Sequence, residues 1–203
     1  MSSHYFDERP HGEDRRRMIK ATVFGRELDF MTSSGTFSPD GLDKATDVLM
    51  REVPPPAGEQ RVLDLGCGWG PIAVGLALAN PLASVWAVDV NSRARELTAE
   101  NAARHRARVR VADPEGVPGE LLFDEIWSNP PVRVGKDALH ALLAIWIPRL
   151  YPQGVAHLVI GKNLGADSLH RWLNDQGWPT ERVASSRGFR VLRTTKHPAA
   201  ESH

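Results

Sequence analysis

Hydrophobic and polar positions fall into two regimes along the chain. Before residue 57 the pattern is irregular. Two β-prone runs, 19–24 and 27–32, are separated by Gly25-Arg26 and predict a hairpin. Residues 32–39 are turn chemistry throughout. A helix opening at Asp40 or Gly41 carries Leu42, Ala45, Val48 and Leu49 on one face until Pro54-Pro55-Pro56 ends it. From Arg61 onward short apolar runs alternate with helical periodicity. Strands are predicted over 62–65, 84–90, 109–112, 123–128 and 155–160, with helices over 71–79, 92–106, 137–150 and 166–176. Runs 182–185 and 189–194 predict a closing hairpin. Strands alternating with helices imply an α/β fold with a mostly parallel sheet covered on both faces. There is no internal repeat.

Composition narrows the classes. The 203 residues suit one α/β unit, and 41% hydrophobic with 25% charged residues is ordinary for a globular chain. The 25 basic and 25 acidic residues cancel, which argues against polyanion binding by the whole surface but not by a local face. A single cysteine, Cys67, rules out a disulfide framework and a thiolate cluster, and the eight histidines show no ligand spacing, so no metal is expected. The polar N-terminus lacks a signal-type apolar core, and no apolar run approaches the roughly 20 residues that span a bilayer. A cytoplasmic, membrane-free, monomeric protein is the expectation.

Two local patterns carry chemistry. The first is Val62-Leu63-Asp64-Leu65-Gly66-Cys67-Gly68-Trp69-Gly70, an apolar strand running into three alternating glycines ahead of a helix. Glycine permits the tight turn and close backbone approach to a ligand, and the helix start offers free amides. Asp89 ends the next strand, 19 residues after Gly70. In a right-handed βαβ unit it meets the glycine loop at one edge, where a carboxylate can accept two ribose hydroxyls. A nicotinamide loop usually follows G-x-G-x-x-G. The closer spacing here, and Asp64 placed to repel a pyrophosphate but pair with a methionine ammonium, favour S-adenosyl-L-methionine.

The second pattern is Ser128-Asn129-Pro130-Pro131, just beyond the fourth strand of the main sheet. Ligands of open α/β sheets lie outside these strand ends. A planar NH2 is a poor nucleophile because its lone pair is delocalised. An Asn side-chain oxygen and an adjacent backbone carbonyl can accept its hydrogens and aim the lone pair at a methyl group, while the prolines stiffen the loop and add no donors. Asn129, Pro130 and Pro131 are therefore the candidate catalytic residues. An Asn-Pro pair is also a common loop after a strand; its position beside a cofactor site is what singles it out.

Together, Asp64 to Gly70, Asp89 and Asn129-Pro130-Pro131 resemble the class I "methyltransferase small" family, including its ribosomal RNA small-subunit methyltransferase C type, which acts on guanine N2. The similarity extends to Gly35-Thr36-Phe37-Ser38-Pro39-Asp40-Gly41-Leu42-Asp43, like the family's segment lying over the cofactor, to Asn101, and to Gly188-Phe189-Arg190-Val191-Leu192. The resemblance implies a Rossmann-like class I methyltransferase: a mostly parallel seven-stranded sheet with helices on both faces, plus the N-terminal hairpin and helix. It implies a flexible arm over 1–18, an extension over 19–56, a methyltransferase domain over 57–196 and a frayed tail over 197–203. The implied cofactor contacts are Phe37, Asp64, Gly66, Cys67, Gly68, Trp69, Gly70, Asp89, Val90, Asp113 and Asn129, with S-adenosyl-L-homocysteine as product. Two positions depart from the long members, which carry an additional N-terminal domain. Val132 stands where they have an aromatic that stacks on the base, an interaction worth about 1–3 kcal/mol, and Arg133 stands where they have histidine.

Around the reactive loop, Val132, Arg133, Lys136 and Lys162 are the expected substrate contacts, the cations for phosphates of ribosomal RNA or the small ribosomal subunit. Arg15-Arg16-Arg17 is expected to add a mobile cationic contact, whereas Arg104, Arg106, Arg108 and Arg110 read as a solvated face. Trp86, Trp127, Trp146 and Trp172 are expected in the core, Trp69 at the pocket. His140, His157 and His170 are expected to be packed or at the surface. Cys67 is read as a small loop residue, with a methyl-accepting role left open. Adenine N6, a protein glutamine amide, and a non-catalytic cofactor- and RNA-binding assembly factor remain alternatives to guanine N2.

Overall fold

The structure is a computed structural model and describes residues 13–196, without the Arg133 side chain. Residues 1–12 of the expected arm and the expected tail over 197–203 lie outside the described residues. The remainder of the arm differs from expectation. Strand β1 (Arg16–Val23) begins inside it and pairs antiparallel with β2 (Arg26–Ser33), and Ser34 N donates to Arg15 O at 3.2 Å. Phe24 and Gly25 at the tip both have positive φ, 44° and 77°, the conformation that a two-residue hairpin turn requires. Helix α1 (Lys44–Glu52) starts later than Asp40 or Gly41, because Asp43 is its cap and accepts Ala45 N at 2.8 Å and Thr46 N at 3.3 Å.

The alternating part follows: β3 (Arg61–Leu65), α2 (Pro71–Ala79), β4 (Ser84–Val88), α3 (Ser92–Arg104), β5 (Val109–Ala112), β6 (Phe123–Ser128), α4 (Lys136–Trp146), β7 (Leu150–Gly161), α5 (Ala166–Asp175), β8 (Thr180–Ser186) and β9 (Phe189–Thr195). Strands β7 and β8 begin earlier than expected, at Leu150 and Thr180, and three other boundaries moved for a local reason. Strand β4 stops at Val88 because Asp89 accepts Asn91 N at 2.9 Å and Asn91 in turn caps α3. Helix α3 stops at Arg104, with Arg106 at φ 55°. Helix α4 stops at Trp146 because Pro148 cannot sit in a helix interior; a 3-10 turn over Ile147–Arg149 leads directly into β7.

The sheet is seven-stranded in the order β5-β4-β3-β6-β7-β9-β8. All pairings are parallel except those of β9, which is antiparallel to both neighbours. The strand order reverses between β3 and β6, which is where an open α/β sheet opens its crevice.

Strand parity then distributes the core. Val62 joins Phe30, Leu49, Leu76, Leu97 and Trp127 on the face covered by the hairpin and helices α1, α2 and α3. Leu63 and Leu65 join Phe123, Leu143, Trp146 and Leu158 under α4 and α5. The hairpin and α1 thus share one core with the sheet. Asn101, fully buried in α3, clamps them: its Oδ1 accepts Met31 N at 2.7 Å, and its Nδ2 donates to Met31 O at 2.9 Å and Trp69 O at 2.8 Å. Replacing it with an apolar residue leaves these backbone groups without partners. Asn101→Leu is expected to lower the unfolding free energy by about 2 kcal/mol or more, read as the shift of a chemical denaturation curve.

Candidate active site

Three neighbouring strands end at the same level. Leu65 pairs with Val88, and Asp64 pairs with Trp127, so the next residues out from the sheet are Gly66 on β3, Asp89 on β4 and Asn129 on β6. Ser128 Oγ donates to Leu65 O at 2.7 Å and pins the β3 and β6 ends together. With strands about 4.8 Å apart, both sequence patterns open onto one cavity. Its wall includes Phe37, Gly66, Asp89, Val90, Asn129 and Pro131. An adjoining hollow is lined by Cys67, Gly68 and Trp69, and shares Phe37 and Gly66 with the cavity.

Gly66, Gly68 and Gly70 have φ of 78°, 58° and 89°. A Cβ on Gly66 would meet nothing within 4 Å and one on Gly68 only Phe37 Cβ at 4.0 Å, so their backbone faces open space where a ligand fits. Asp89 holds the loop: its Oδ2 accepts Gly68 N at 2.9 Å and its Oδ1 accepts Asn91 N. Each oxygen keeps a further lone pair for a ribose hydroxyl. Burial pushes its carboxyl above the ordinary value, and the amides of Asn91 and Gly68 pull it back. Trp69 is buried against Phe30, ring centres 5.0 Å apart, and donates Nε1 to Ser38 O at 3.2 Å.

Three expected cofactor residues line neither the cavity nor the adjoining hollow. Gly70 caps α2 with its backbone and packs on Thr98, where a Cβ would come within 2.9 Å of Oγ1. Asp64 shares strand parity with Val62 and so faces α2; its Oδ2 accepts Ala73 N at 3.0 Å, supplying the cap that Gly70 has no side chain to give. Its Oδ1 is buried and has no partner among the described residues. Asp113 folds back to accept Gly116 N at 2.6 Å, and Pro114 takes its place at the wall. Leu142 and Trp146 of α4 also line the cavity. The helical period marks them as core and says nothing of which core residues overhang a crevice.

Asn129 donates its Nδ2 to Asp43 Oδ1 at 2.9 Å and to Thr46 Oγ1 at 3.0 Å. Its Oδ1 remains to accept. Pro130 O, the candidate second acceptor, receives Val132 N at 2.8 Å and keeps one lone pair. Phe37 comes from the segment between β2 and α1, which crosses the cavity held at several points. Arg93 Nη1 donates to Ser34 O at 2.8 Å, Asn91 Nδ2 to Gly35 O at 3.0 Å, and Thr32 Oγ1 to Pro39 O at 2.7 Å.

Of the expected substrate contacts, Lys136 and Lys162 are exposed at the same sheet edge and make no ion pair among the described residues. Arg133 lies in a 3-10 turn over Val132–Val134, its side chain outside the described part. Val132 packs against the core under α4 instead of presenting a stacking surface. The Arg15 to Arg17 run is not a free cationic arm. Arg15 pairs with Glu13, Arg16 with Asp14 and Glu100, and Arg17 with Asp40 and Pro39 O. Arg104, Arg106, Arg108 and Arg110 are all exposed, as a solvated face should be. Trp127 and Trp146 are buried, Trp86 and Trp172 partly so. His157 is buried against Trp127, its imidazole pushed down to about 4 chiefly by burial. Cys67 is buried and its thiol is raised well above the ordinary value, first by burial and then by Asp89, so thiolate chemistry is suppressed. Among the described residues no helix is long and apolar enough to cross a membrane, and no cluster of His, Cys, Asp or Glu is arranged to hold a metal.

The strand order with β9 reversed, and a glycine loop beside an Asn-Pro-Pro turn, define the class I methyltransferase fold. The profile of the methyltransferase small domain matches residues 27–193, and the chain belongs to this family. The uncharacterized protein YbxB of Bacillus subtilis is 30% identical over 200 residues, covering 97% of this chain and 100% of that protein. A ribosomal RNA small subunit methyltransferase C from Shewanella loihica is 31% identical over 68% of this chain and 41% of its own length. A ribosomal RNA large subunit methyltransferase G from Pseudomonas syringae is 29% identical over 83% of this chain and 46% of its own. The 16S rRNA N2 methyltransferase RsmC of T. thermophilus, solved with AdoMet and guanosine, superposes with a TM-score of 0.80 at 25% identity, over 93% of this chain and 52% of that one. The chain therefore spans about half the length of the ribosomal RNA methyltransferases it matches.

Burial of Asp64 makes stability depend on pH. Its carboxyl is raised from 3.8 to about 8, first by burial and secondarily by Asp89. Between those values the folded protein holds a proton that the unfolded chain releases, so the unfolding free energy falls as pH rises through that window. Asp64→Asn, which keeps an acceptor for Ala73 N, is expected to flatten the dependence in thermal melts taken across that range.

Proposed function

We propose that this protein is an S-adenosyl-L-methionine-dependent N-methyltransferase of ribosomal RNA, acting on guanine N2. The carrying observation is the single cavity walled at one end by Gly66 and Asp89 and at the other by Asn129 and Pro131. The open backbone at Gly66 and Gly68 and the remaining acceptor capacity of Asp89 fit the cofactor's methionine and ribose parts. Bound there, it would supply an electrophilic methyl on sulfur for the amine nitrogen, with the C–S pair staying on sulfur and the displaced N–H proton passing to solvent as the product leaves.

The chain's own part is positioning and polarity. Asn129 Oδ1 and Pro130 O accept the two hydrogens of the target amine and hold its lone pair toward the cavity. Phe37 from above and Leu142 and Trp146 from the side exclude water. No side chain is needed as a base, since the proton becomes acidic once the fourth bond to nitrogen forms. Lys136 and Lys162, exposed beside the reactive loop, and Arg133 within it suit backbone phosphates. A small-subunit guanine is favoured by the neighbour solved with guanosine. The relatives named large subunit methyltransferase G make a large-subunit target the second reading.

Three measurements test this. Labelled cofactor is incubated with small subunits, large subunits and naked ribosomal RNA from cells lacking the protein, and the digested nucleosides are analysed by mass spectrometry. N2-methylguanosine in one of them is the expected product; N6-methyladenosine would move the target, and no label in any would leave a non-catalytic binding protein. Asn129→Ala should lower kcat by about a hundredfold or more with cofactor affinity intact. Asp89→Ala should weaken cofactor binding by about 10- to 100-fold in calorimetry, the loss of charge-assisted hydrogen bonds.

A further inference from the structure

A side-chain amide can be turned either way, and only one orientation presents an oxygen to the target amine. In this fold the choice is made on another element. Asn129 Nδ2 donates to Asp43 Oδ1 at 2.9 Å and to Thr46 Oγ1 at 3.0 Å. A carboxylate oxygen accepts and has no hydrogen to give. Turned over, Asn129 would set its own oxygen against that of Asp43. Thr46 alone would not decide the matter, because a hydroxyl can donate as well as accept. Asp43 Oδ1 is in turn held by the start of α1, accepting Ala45 N at 2.8 Å and Thr46 N at 3.3 Å.

We infer that Asp43, assisted by Thr46, is a positioning residue for methyl transfer: the cap of α1 selects the orientation of the Asn129 amide and so fixes the acceptor that receives the substrate amine. This rests on the role given to Asn129 above. It also ties the acceptor to the segment that covers the cavity, because Asp43 ends the stretch that carries Phe37 and is anchored through Ser38 O to Trp69 Nε1. A chain in which that stretch is displaced loses the orientation of Asn129 along with its cover.

The test is steady-state kinetics with the ribosomal substrate that accepts label, alongside cofactor calorimetry and thermal melts. Asp43→Ser keeps a good helix cap but its oxygen lies one bond closer to the backbone and cannot reach Asn129. Its kcat is expected to fall about tenfold to a hundredfold, with cofactor Kd and melting temperature close to those of the parent. Asp43→Asn keeps the acceptor that the helix amides hold in place and should recover most of the loss. Thr46→Val should give a smaller fall in kcat, of several-fold, and carries the test if Asp43→Ser does not fold. An unchanged kcat in both Asp43→Ser and Thr46→Val, with Asn129→Ala inactive, overturns the inference. So does a loss in Asp43→Ser matched by equal losses in Kd and melting temperature. Turnover surviving in Asn129→Ala overturns the role of Asn129 itself.

Discussion

The site depends on the register of β3 with its two neighbours. Leu65 opposite Val88, and Asp64 opposite Trp127, bring Gly66, Asp89 and Asn129 out of the sheet on one line. No loop has to search for this arrangement, since backbone ladders set it. A slip of one residue in β6 would move Asn129 by about 3.3 Å and turn its side chain to the opposite face. It would also turn Trp127 out of one core and Ile126 out of the other. Register is thus held by hydrophobic burial on both faces, and the reactive geometry follows from the same packing that stabilises the sheet.

Charge is spent locally in this molecule. The acidic and basic residues balance overall. The N-terminal arginines that look like a nucleic-acid arm are consumed by Asp14, Asp40 and Glu100 in holding β1 to the covering segment and to α3. Arg93 and Arg95 are likewise turned inward, Arg95 donating to Asp89 O and Val90 O at 2.8 Å. The cations left at the reactive edge, Lys136 and Lys162, stand at the starts of the segments following β6 and β7.

Much of this is legible in the sequence. Helix 71–79 falls where Pro71 and the apolar period place it, and β3, β5 and β6 follow their short apolar runs. The two chemical patterns do open on one cavity. What escaped was set by long-range contacts or by direction. The bond between Asn129 and Asp43 joins residues 86 apart in the chain, and no local pattern encodes it. Asp113 was placed by analogy, but the turn it closes with Gly116 withdraws it. Asp64 is the instructive case, because its orientation was available: it shares parity with the buried Val62, so it had to face α2. The helix overruns at Arg106 and Leu150 arose because periodicity does not register a left-handed residue or the steric demand of Pro148.

The position of β9 bears on how the protein is made. The last strand lies inside the sheet, between β7 and β8, and runs against both. As the chain emerges from the ribosome, β3, β4 and β6 can assemble the cavity first. β8 then waits without a partner, and the edge of β7 stays open until Phe189–Thr195 arrives. An unpaired edge of apolar strand is a template for association with other chains. The cavity can therefore form while one border of the sheet is still open to association, and Phe189–Thr195 closes that border.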